Sequence, residues 1–359
     1  DTKVLNNGGD TITVSDDEGT ALNATTLSAI GGETTGTVTV TNDQVISGST
    51  SELTAALVSG DSVVVNNGGD TITVTDAIAS VSEINAINTL TTGVISATLA
   101  ADTLSNLGSL ADKTGATDNA YTVTVTDTAD STLTAANLST LGGKTSGAVT
   151  VTNTHTISGS IDNLTAALIT DDTKVLTTST ANTITVTDAT ASVSEINAIN
   201  TLTTGVISAT LAADTLSNLG SLADKTGDTD NAYTITVTDT ANSTLTAANL
   251  FALGGKTSGA VTVTNDHIIT GTASQLTAAL ITDDTKVLNN GGDTITVSDD
   301  EGTALNATTL SAIGGETTGT VTVTNDQVIS GSTSELTAAL VSGDSVVVNN
   351  GGDTITVTD

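Results

Sequence analysis

The sequence predicts a mainly β fold, a parallel β-solenoid with a short helix in most of its coils. The 359-residue chain keeps returning to strict alternation of Thr with Val or Ile, as in TVTVTD at 122–127 and TITVTD at 183–188. Alternation with period two is typical of a strand that is buried on one face. The chain also repeats itself, which is typical of stacked architectures. Right-handed coiling is expected for such parallel connections.

The repeats have two lengths. Residues 1–76 recur identically at 284–359, a super-repeat of 283 residues, and residues 76–172 match 188–284 with thirteen substitutions. We therefore expect one continuous array over residues 1–359, and expect it to be a segment of a longer protein. The predicted coils lie at about 11–36, 37–70, 71–93, 94–121, 122–147, 148–182, 183–205, 206–233, 234–259, 260–293, 294–319 and 320–353.

The composition suits a thin, layered core. The chain has no Cys, Met, Trp or Pro, and aromatic residues make up 1% of it. Val, Ile, Leu and Ala must therefore fill the interior, and inward residues such as Val123 and Val125 would stack in ladders. Because short helical patterns follow the strands, an α/β solenoid like that of leucine-rich repeats is the alternative.

The helical patterns carry their own end signals. Ser80 and Glu83 fit a capping box, and Gly142 with Gly143 suits a left-handed C-terminal cap. The NNGG sequence at 66–69 predicts a tight turn with positive φ. The helical patterns themselves are SELTAALVSG at 51–60, SVSEINAINTL at 80–90 and TAANLSTLGG at 134–143.

The charge excludes several classes of partner. Seven basic residues face 40 Asp and Glu, which gives a formal net charge of -33. Such a polyanion repels nucleic acid phosphates and anionic membrane surfaces. No apolar run approaches the roughly 20 residues of a membrane span. We expect neither a nucleic acid partner nor membrane insertion.

Residues suited to catalysis are scarce. The two histidines, His155 and His267, occupy the same repeat position, and the block 1–76 has Gln44 there. Without Cys, a nucleophile would be Ser or Thr with His as its base. A position that accepts Gln does not supply a catalytic base. The sequence predicts that the protein is not an enzyme.

Acidic turns recur along the chain and suggest that Ca²⁺ binds as a cofactor. Ca²⁺ takes six to eight oxygen ligands, and the GGD sequences at 8–10, 68–70 and 291–293 match part of the RTX nonapeptide. The alternative is that these are Asn/Asp-Gly turns with solubilising charge. The candidate ligands are Asp16, Asp17, Glu18, Asp228, Asp230, Asp299, Asp300 and Glu301.

The residue that closes each strand alternates between Asp and Asn, as at Asp127 and Asn153. Carboxylates stacked about 4.8 Å apart repel one another. The alternation reduces this repulsion and predicts side-chain hydrogen-bond ladders, with cation bridging as the alternative.

The outward residues of the strands predict a threonine face. Flat T-x-T arrays are also what ice-binding proteins present, and Thr suits any exposed strand face. The same face would serve for packing between sheets of different copies. The face is assigned to Thr122, Thr124, Thr126, Thr183, Thr185 and Thr187, and sequons that allow glycans stand at Asn23, Asn137, Asn163, Asn242 and Asn306.

The succession of ITVTD, NAYTVTVTD, LTAANL and VTVTN resembles the repeat regions of giant, acidic surface proteins of cyanobacteria and other aquatic bacteria, the RTX- or haemolysin-type exoproteins. The resemblance implies export and an extracellular or cell-surface location. The first hypothesis is a structural protein of a fibre, sheath or surface layer that associates with copies of itself. The second is an adhesin stalk that carries a distant binding domain. The third is an ice- or carbohydrate-binding Thr face.

Overall fold

A computed structural model of the chain describes residues 8–58, 64–66, 68–170, 175–282, 287–289, 291–341, 347–348 and 351–359. The chain divides into two compact units, unit 1 over Asp1–Thr180 and unit 2 over Ala181–Asp359.

Unit 1 alternates short strands with short helices. Its described helices are α1 Ala24–Gly32, α2 Thr50–Leu57, α3 Val81–Asn88, α4 Leu104–Leu107, α5 Ala135–Gly142 and α6 Ile161–Leu168. Its described strands are β1 Ile12–Val14, β2 Ala21–Asn23, β3 Val38–Val40, β4 Val45–Gly48, β5 Val64–Val65, β6 Thr71–Val74, β7 Ile95–Thr98, β8 Ala120–Val125, β9 Thr132–Thr134, β10 Val149–Val151, β11 Thr156–Gly159 and β12 Leu176–Thr177.

Unit 2 continues the alternation. Its described helices are α7 Val193–Asn200, α8 Leu216–Leu219, α9 Ala247–Gly254, α10 Ala273–Leu280, α11 Ala307–Gly315 and α12 Thr333–Leu340. Its described strands are β13 Thr183–Val186, β14 Ile207–Thr210, β15 Ala232–Val237, β16 Thr244–Thr246, β17 Val261–Val263, β18 Ile268–Gly271, β19 Val287–Leu288, β20 Thr294–Val297, β21 Ala304–Asn306, β22 Val321–Val323, β23 Val328–Gly331, β24 Val347–Val348 and β25 Thr354–Val357.

The sheets are parallel. In unit 1, β1-β3-β5 form one run of neighbouring strands, β2-β4-β6-β7-β8-β10-β12 form another, and β9 pairs with β11. In unit 2 the runs are β13-β14-β15-β17-β19, β16-β18-β20-β22-β24 and β21-β23-β25. The predicted coil 37–70 contains β3, β4, α2 and β5, and within it β3 pairs with β5.

The alternating strands place their β-branched residues inside, as predicted. Val123 and Val125 are fully buried, and Val123 faces Val149 of the neighbouring strand. The same sequence TITVTD shows how much of this burial depends on a neighbour. Ile72 of β6, which pairs with β7, is 0% exposed, whereas Ile355 of β25, the last strand of its sheet, is 43% exposed.

The helices begin where the sequence places their caps. Ser80 and Glu83 form the predicted capping box of α3. The prediction of a left-handed cap at Gly142 and Gly143 is wrong, because α5 includes Gly142 and Gly143 ends it with φ of -70°. Positive φ does occur in the predicted NNGG turn, at Gly68 with φ of 88°. Asn67 of that turn lies outside the described residues.

The predicted mainly β class is wrong. About 27% of the chain is helical and about 29% is strand, so the fold is α/β, with parallel sheets of three to seven strands and twelve helices in the described residues. The strands are only two to six residues long, and the segments between them bury apolar faces of their own. Leu53 and Ala56 of α2, for example, are fully buried. The α/β class named as the alternative is the class observed.

Candidate functional site: contacts between coils

Neighbouring strands of a sheet come from consecutive stretches of chain. Ile72 faces Ile95, and Ile12 faces Val38, so paired residues within a unit are 23 to 26 positions apart. We call the stretch between two paired strands a coil. Three kinds of side-chain contact join one coil to the next, and each recurs along the chain.

The first contact is a buried threonine in a T-[TS]-G sequence. The Thr145 hydroxyl donates to the carbonyl of Tyr121 at 2.9 Å and accepts the amides of Tyr121 at 2.6 Å and Gly147 at 2.9 Å. A Cβ on Gly147 would lie 2.1 Å from the Tyr121 carbonyl oxygen, so only glycine fits there. Equivalent hydroxyls, all at most 5% exposed, belong to Thr34, Thr91, Thr203, Thr257 and Thr317.

The second contact uses the aspartate that closes a strand. Its carboxylate accepts the first backbone N–H of a helix in the preceding coil, where that N–H has no partner within the helix and the helix dipole favours negative charge. The pairs are Asp76 with Thr50 at 2.5 Å, Asp127 with Leu104 at 2.7 Å, Asp239 with Leu216 at 2.6 Å, Asp299 with Ala273 at 2.8 Å and Asp359 with Thr333 at 3.1 Å. Where Asn closes the strand, as at Asn153, its amide donates to the backbone carbonyl of Asp127 at 2.9 Å.

The third contact uses a buried Asn or Asp just before a strand. The Asn119 side-chain oxygen accepts the amide of Ile95 at 2.8 Å. The aspartate of the GGD sequences does the same, since Asp70 accepts the amide of Gln44 at 2.6 Å. A Cβ on Gly69 would lie 2.3 Å from a carboxylate oxygen of Asp43. In this GGD sequence Gly68 adopts the positive φ, Gly69 leaves room for the Asp43 carboxylate, and Asp70 is the buried acceptor.

The two histidines are buried, each 1% exposed. The His155 ring lies 2.8 Å from the Thr152 carbonyl through Nε2 and 3.1 Å from the Ser131 hydroxyl through Nδ1. The backbone N–H of His267 donates to Asp293, whose pKa is raised by burial and lowered in part by this bond. Gln44 stands at the equivalent position and donates its side-chain amide to the carbonyl of Asp16. These contacts hold coils together.

The predicted calcium ligands Asp16, Asp17 and Glu18 lie exposed in the loop between β1 and β2. In the identical second copy, Asp299 is 9% exposed because its carboxylate caps α10, while Asp300 and Glu301 are exposed.

A lysine ammonium occupies the other predicted calcium site. Lys225 pairs with the Asp230 carboxylate at 2.7 Å and donates to the Asp228 carbonyl at 2.8 Å. In the sister copy Lys113 makes the same contacts with Asp118 and Ala116. Among the described residues, no three His, Cys, Asp or Glu side chains are grouped so that they could hold a metal ion. The calcium hypothesis stays a prediction.

The threonine face is built from short rows. Thr122 and Thr126 are exposed and Thr124 is half-buried, and Thr124 faces Thr150 of the next strand. Thr183 and Thr185 are half-buried and Thr187 is exposed, but Thr185 faces Ser208. The row through Thr185 is therefore interrupted at Ser208.

Hydrogen bonds lower the pKa of several exposed carboxylates. The Ser80 hydroxyl, and then its backbone N–H, lower the pKa of Glu83. Ion pairing links coils too, because Lys144 after α5 reaches Asp112 at 2.6 Å and lowers the pKa of that carboxyl. Of the predicted sequons, Asn23 and Asn306 cap α1 and α11 with their side-chain oxygens.

The sequence reasoning missed the T-[TS]-G contact. Its signal was present, because the sequence occurs six times, at 34–36, 91–93, 145–147, 203–205, 257–259 and 317–319. The chain matches no protein-family model, no curated protein and no solved structure. None of the helices in the described part of the chain has the length and apolar character of a transmembrane span.

Proposed function

We propose that the chain is a structural repeat segment of an extracellular fibre, sheath or surface layer, and that it associates with copies of itself. The observation that carries this proposal is the recurrence of the same contacts between coils in both units. Thr145 in unit 1 and Thr257 in unit 2 bond to tyrosines at equivalent repeat positions. Asp127 and Asp239 likewise cap equivalent helices. Contacts that recur along the chain serve the coherence of the whole array.

The charge supports the same role. A net charge of -33 keeps long chains dispersed until specific contacts join them. It also disfavours nucleic acid and anionic membrane surfaces as partners. Copies of the same chain are the partner that the repeated architecture suits best, and location at the cell surface forms part of this proposal.

Electron microscopy of the purified chain and of native material tests the proposal. We expect ordered filaments or sheets in which many chains lie side by side or end to end. Isolated rods that each carry a globular tip would support the adhesin stalk instead. Single particles at every concentration, with native material that lacks ordered assemblies, would contradict self-association.

A further inference from the structure

Four rows on the outer faces of the sheets end in the same way. In each row two or more threonines are followed by an aliphatic residue on the last strand of a run. Strand register defines the rows as Thr13–Thr39–Val65, Thr124–Thr150–Leu176, Thr236–Thr262–Leu288 and Thr246–Thr270–Thr296–Thr322–Val348. Two of these rows belong to unit 1 and two to unit 2.

The aliphatic end of each row is open to solvent. Val65 is 49% exposed, Leu176 is 53%, Leu288 is 48% and Val348 is 49%. Their strands, β5, β12, β19 and β24, are the last in their runs, so among the described residues each has a sheet neighbour on one side. A strand at the edge of a sheet with an exposed aliphatic side chain is a surface on which another chain can dock.

We propose that these Thr-Thr-aliphatic rows are the surface through which two copies of this chain associate. The inference rests on the proposed function and names its interface. Charge limits where two copies can touch. Two copies that each carry -33 repel each other wherever acidic side chains meet, so contact requires patches without ionisable groups on both copies. The rows consist only of Thr, Val and Leu.

Repetition favours a second copy over a different protein. Each unit presents the same kind of row twice, so a row on one copy finds a matching row on the other, as an isologous interface requires. Threonine methyls and aliphatic side chains on the outer faces of two sheets can interdigitate at the usual spacing of about 10 Å between packed sheets.

The test is the association of the full chain in solution, measured by sedimentation velocity over a range of concentrations and salt. The row variant carries Val65→Thr, Leu176→Thr, Leu288→Thr and Val348→Thr, which extends the threonines already present in each row. The control variant removes four aliphatic or aromatic side chains outside the rows that are 37% to 70% exposed, by Val58→Thr, Ile169→Thr, Phe251→Thr and Val341→Thr.

We expect the wild type and the control variant to associate equally, and more strongly as NaCl screens the charge. We expect the row variant to associate at least about tenfold more weakly while its circular dichroism and thermal midpoint stay unchanged. Equal association of the row variant, or equal weakening by the control variant, would overturn the assignment of the rows. A wild type that stays monomeric under all conditions would instead refute self-association, and the proposed function with it.

Discussion

The buried threonine of each T-[TS]-G sequence uses the full bonding capacity of a hydroxyl. In the Thr145 contact one O–H donates to a carbonyl and the oxygen accepts two amides. The Thr145 side chain and its bonds to Tyr121 are buried, and a buried donor that lacks a partner costs about 1–3 kcal/mol. A single small side chain therefore satisfies backbone groups of two coils.

Thr145→Val removes this hydroxyl with almost no change in shape. We expect the free energy of unfolding to fall by about 2 kcal/mol or more, because the amides of Tyr121 and Gly147 lose their acceptor. Urea denaturation followed by circular dichroism measures the change. Thr150→Val, on a half-buried outward position, is the control and should change stability by less than about 0.5 kcal/mol. Equal effects of both variants would contradict the role of Thr145.

Tyr121 and Tyr233 are the only tyrosines of the chain, and both rings are fully buried. Burial raises the pKa of both phenols well above the ordinary value. The folded state therefore holds these protons more tightly than the unfolded chain, whose tyrosines ionise near pH 10. Stability is lost as the pH rises past that value.

An alkaline titration should consequently show phenolate absorbance appearing together with the loss of circular dichroism, because the chain has no Trp to mask it. The Tyr121→Phe, Tyr233→Phe double variant should unfold at a higher pH and serves as the control for lysine deprotonation. Phenolate that appears gradually near pH 10 in a chain with unchanged dichroism would show that the tyrosines are accessible.

Five helices use an aspartate of the following coil as the acceptor of their first N–H group, namely α2, α4, α8, α10 and α12. This matters most for the two four-residue helices, α8, which is capped by Asp239 just after β15, and α4, which is capped by Asp127 just after β8. Helices this short are unstable in isolation. Elements of this chain are therefore completed by their neighbours in the stack.

Asp239→Ala should destabilise the chain by about 1 kcal/mol and speed hydrogen exchange at the Leu216 amide, which loses its acceptor. Asp228→Ala removes the same charge at an exposed position where the sister copy already has Ala116, and it should leave exchange at Leu216 unchanged. If both variants speed exchange alike, the effect comes from charge and not from capping.

Local patterns predicted the elements well. Period-two alternation located the strand around Val123, and the Ser80–Glu83 capping box located α3. The predicted class was wrong because the alternation is the stronger local pattern, whereas the eight-residue helices also bury core residues such as Leu138. The contacts of Thr145 and Asp127 could not be predicted from one stretch of sequence, because their partners lie 24 and 23 residues away and become neighbours only once strand register is fixed.

The whole chain is a polyanion, and the four lysines that the structure describes are held in ion pairs. Lys113, Lys144, Lys225 and Lys256 each contact an aspartate within 2.7 Å. The remaining negative charge disfavours the compact state through self-repulsion. Ionic strength should therefore affect this protein more than an average one.

Raising NaCl from about 0.05 to 0.5 M should raise the thermal midpoint, because the screening length falls from roughly 14 to 4 Å. Differential scanning calorimetry measures the shift, and a midpoint that falls or stays constant would contradict it. CaCl2 and MgCl2 at equal ionic strength then test the calcium hypothesis. A larger rise with CaCl2 that EDTA reverses would support bound Ca²⁺, and equal rises would eliminate it.

The direction of the contacts between coils has a consequence for synthesis. The hydroxyl of Thr145 and the carboxylate of Asp127 both reach back to groups made earlier in the chain, 24 and 23 residues before them. A nascent coil on the ribosome therefore keeps open amides until its successor has left the exit tunnel. Each coil completes its hydrogen bonds only after the next coil has emerged. The most recently emerged coil of the growing chain is therefore always incomplete.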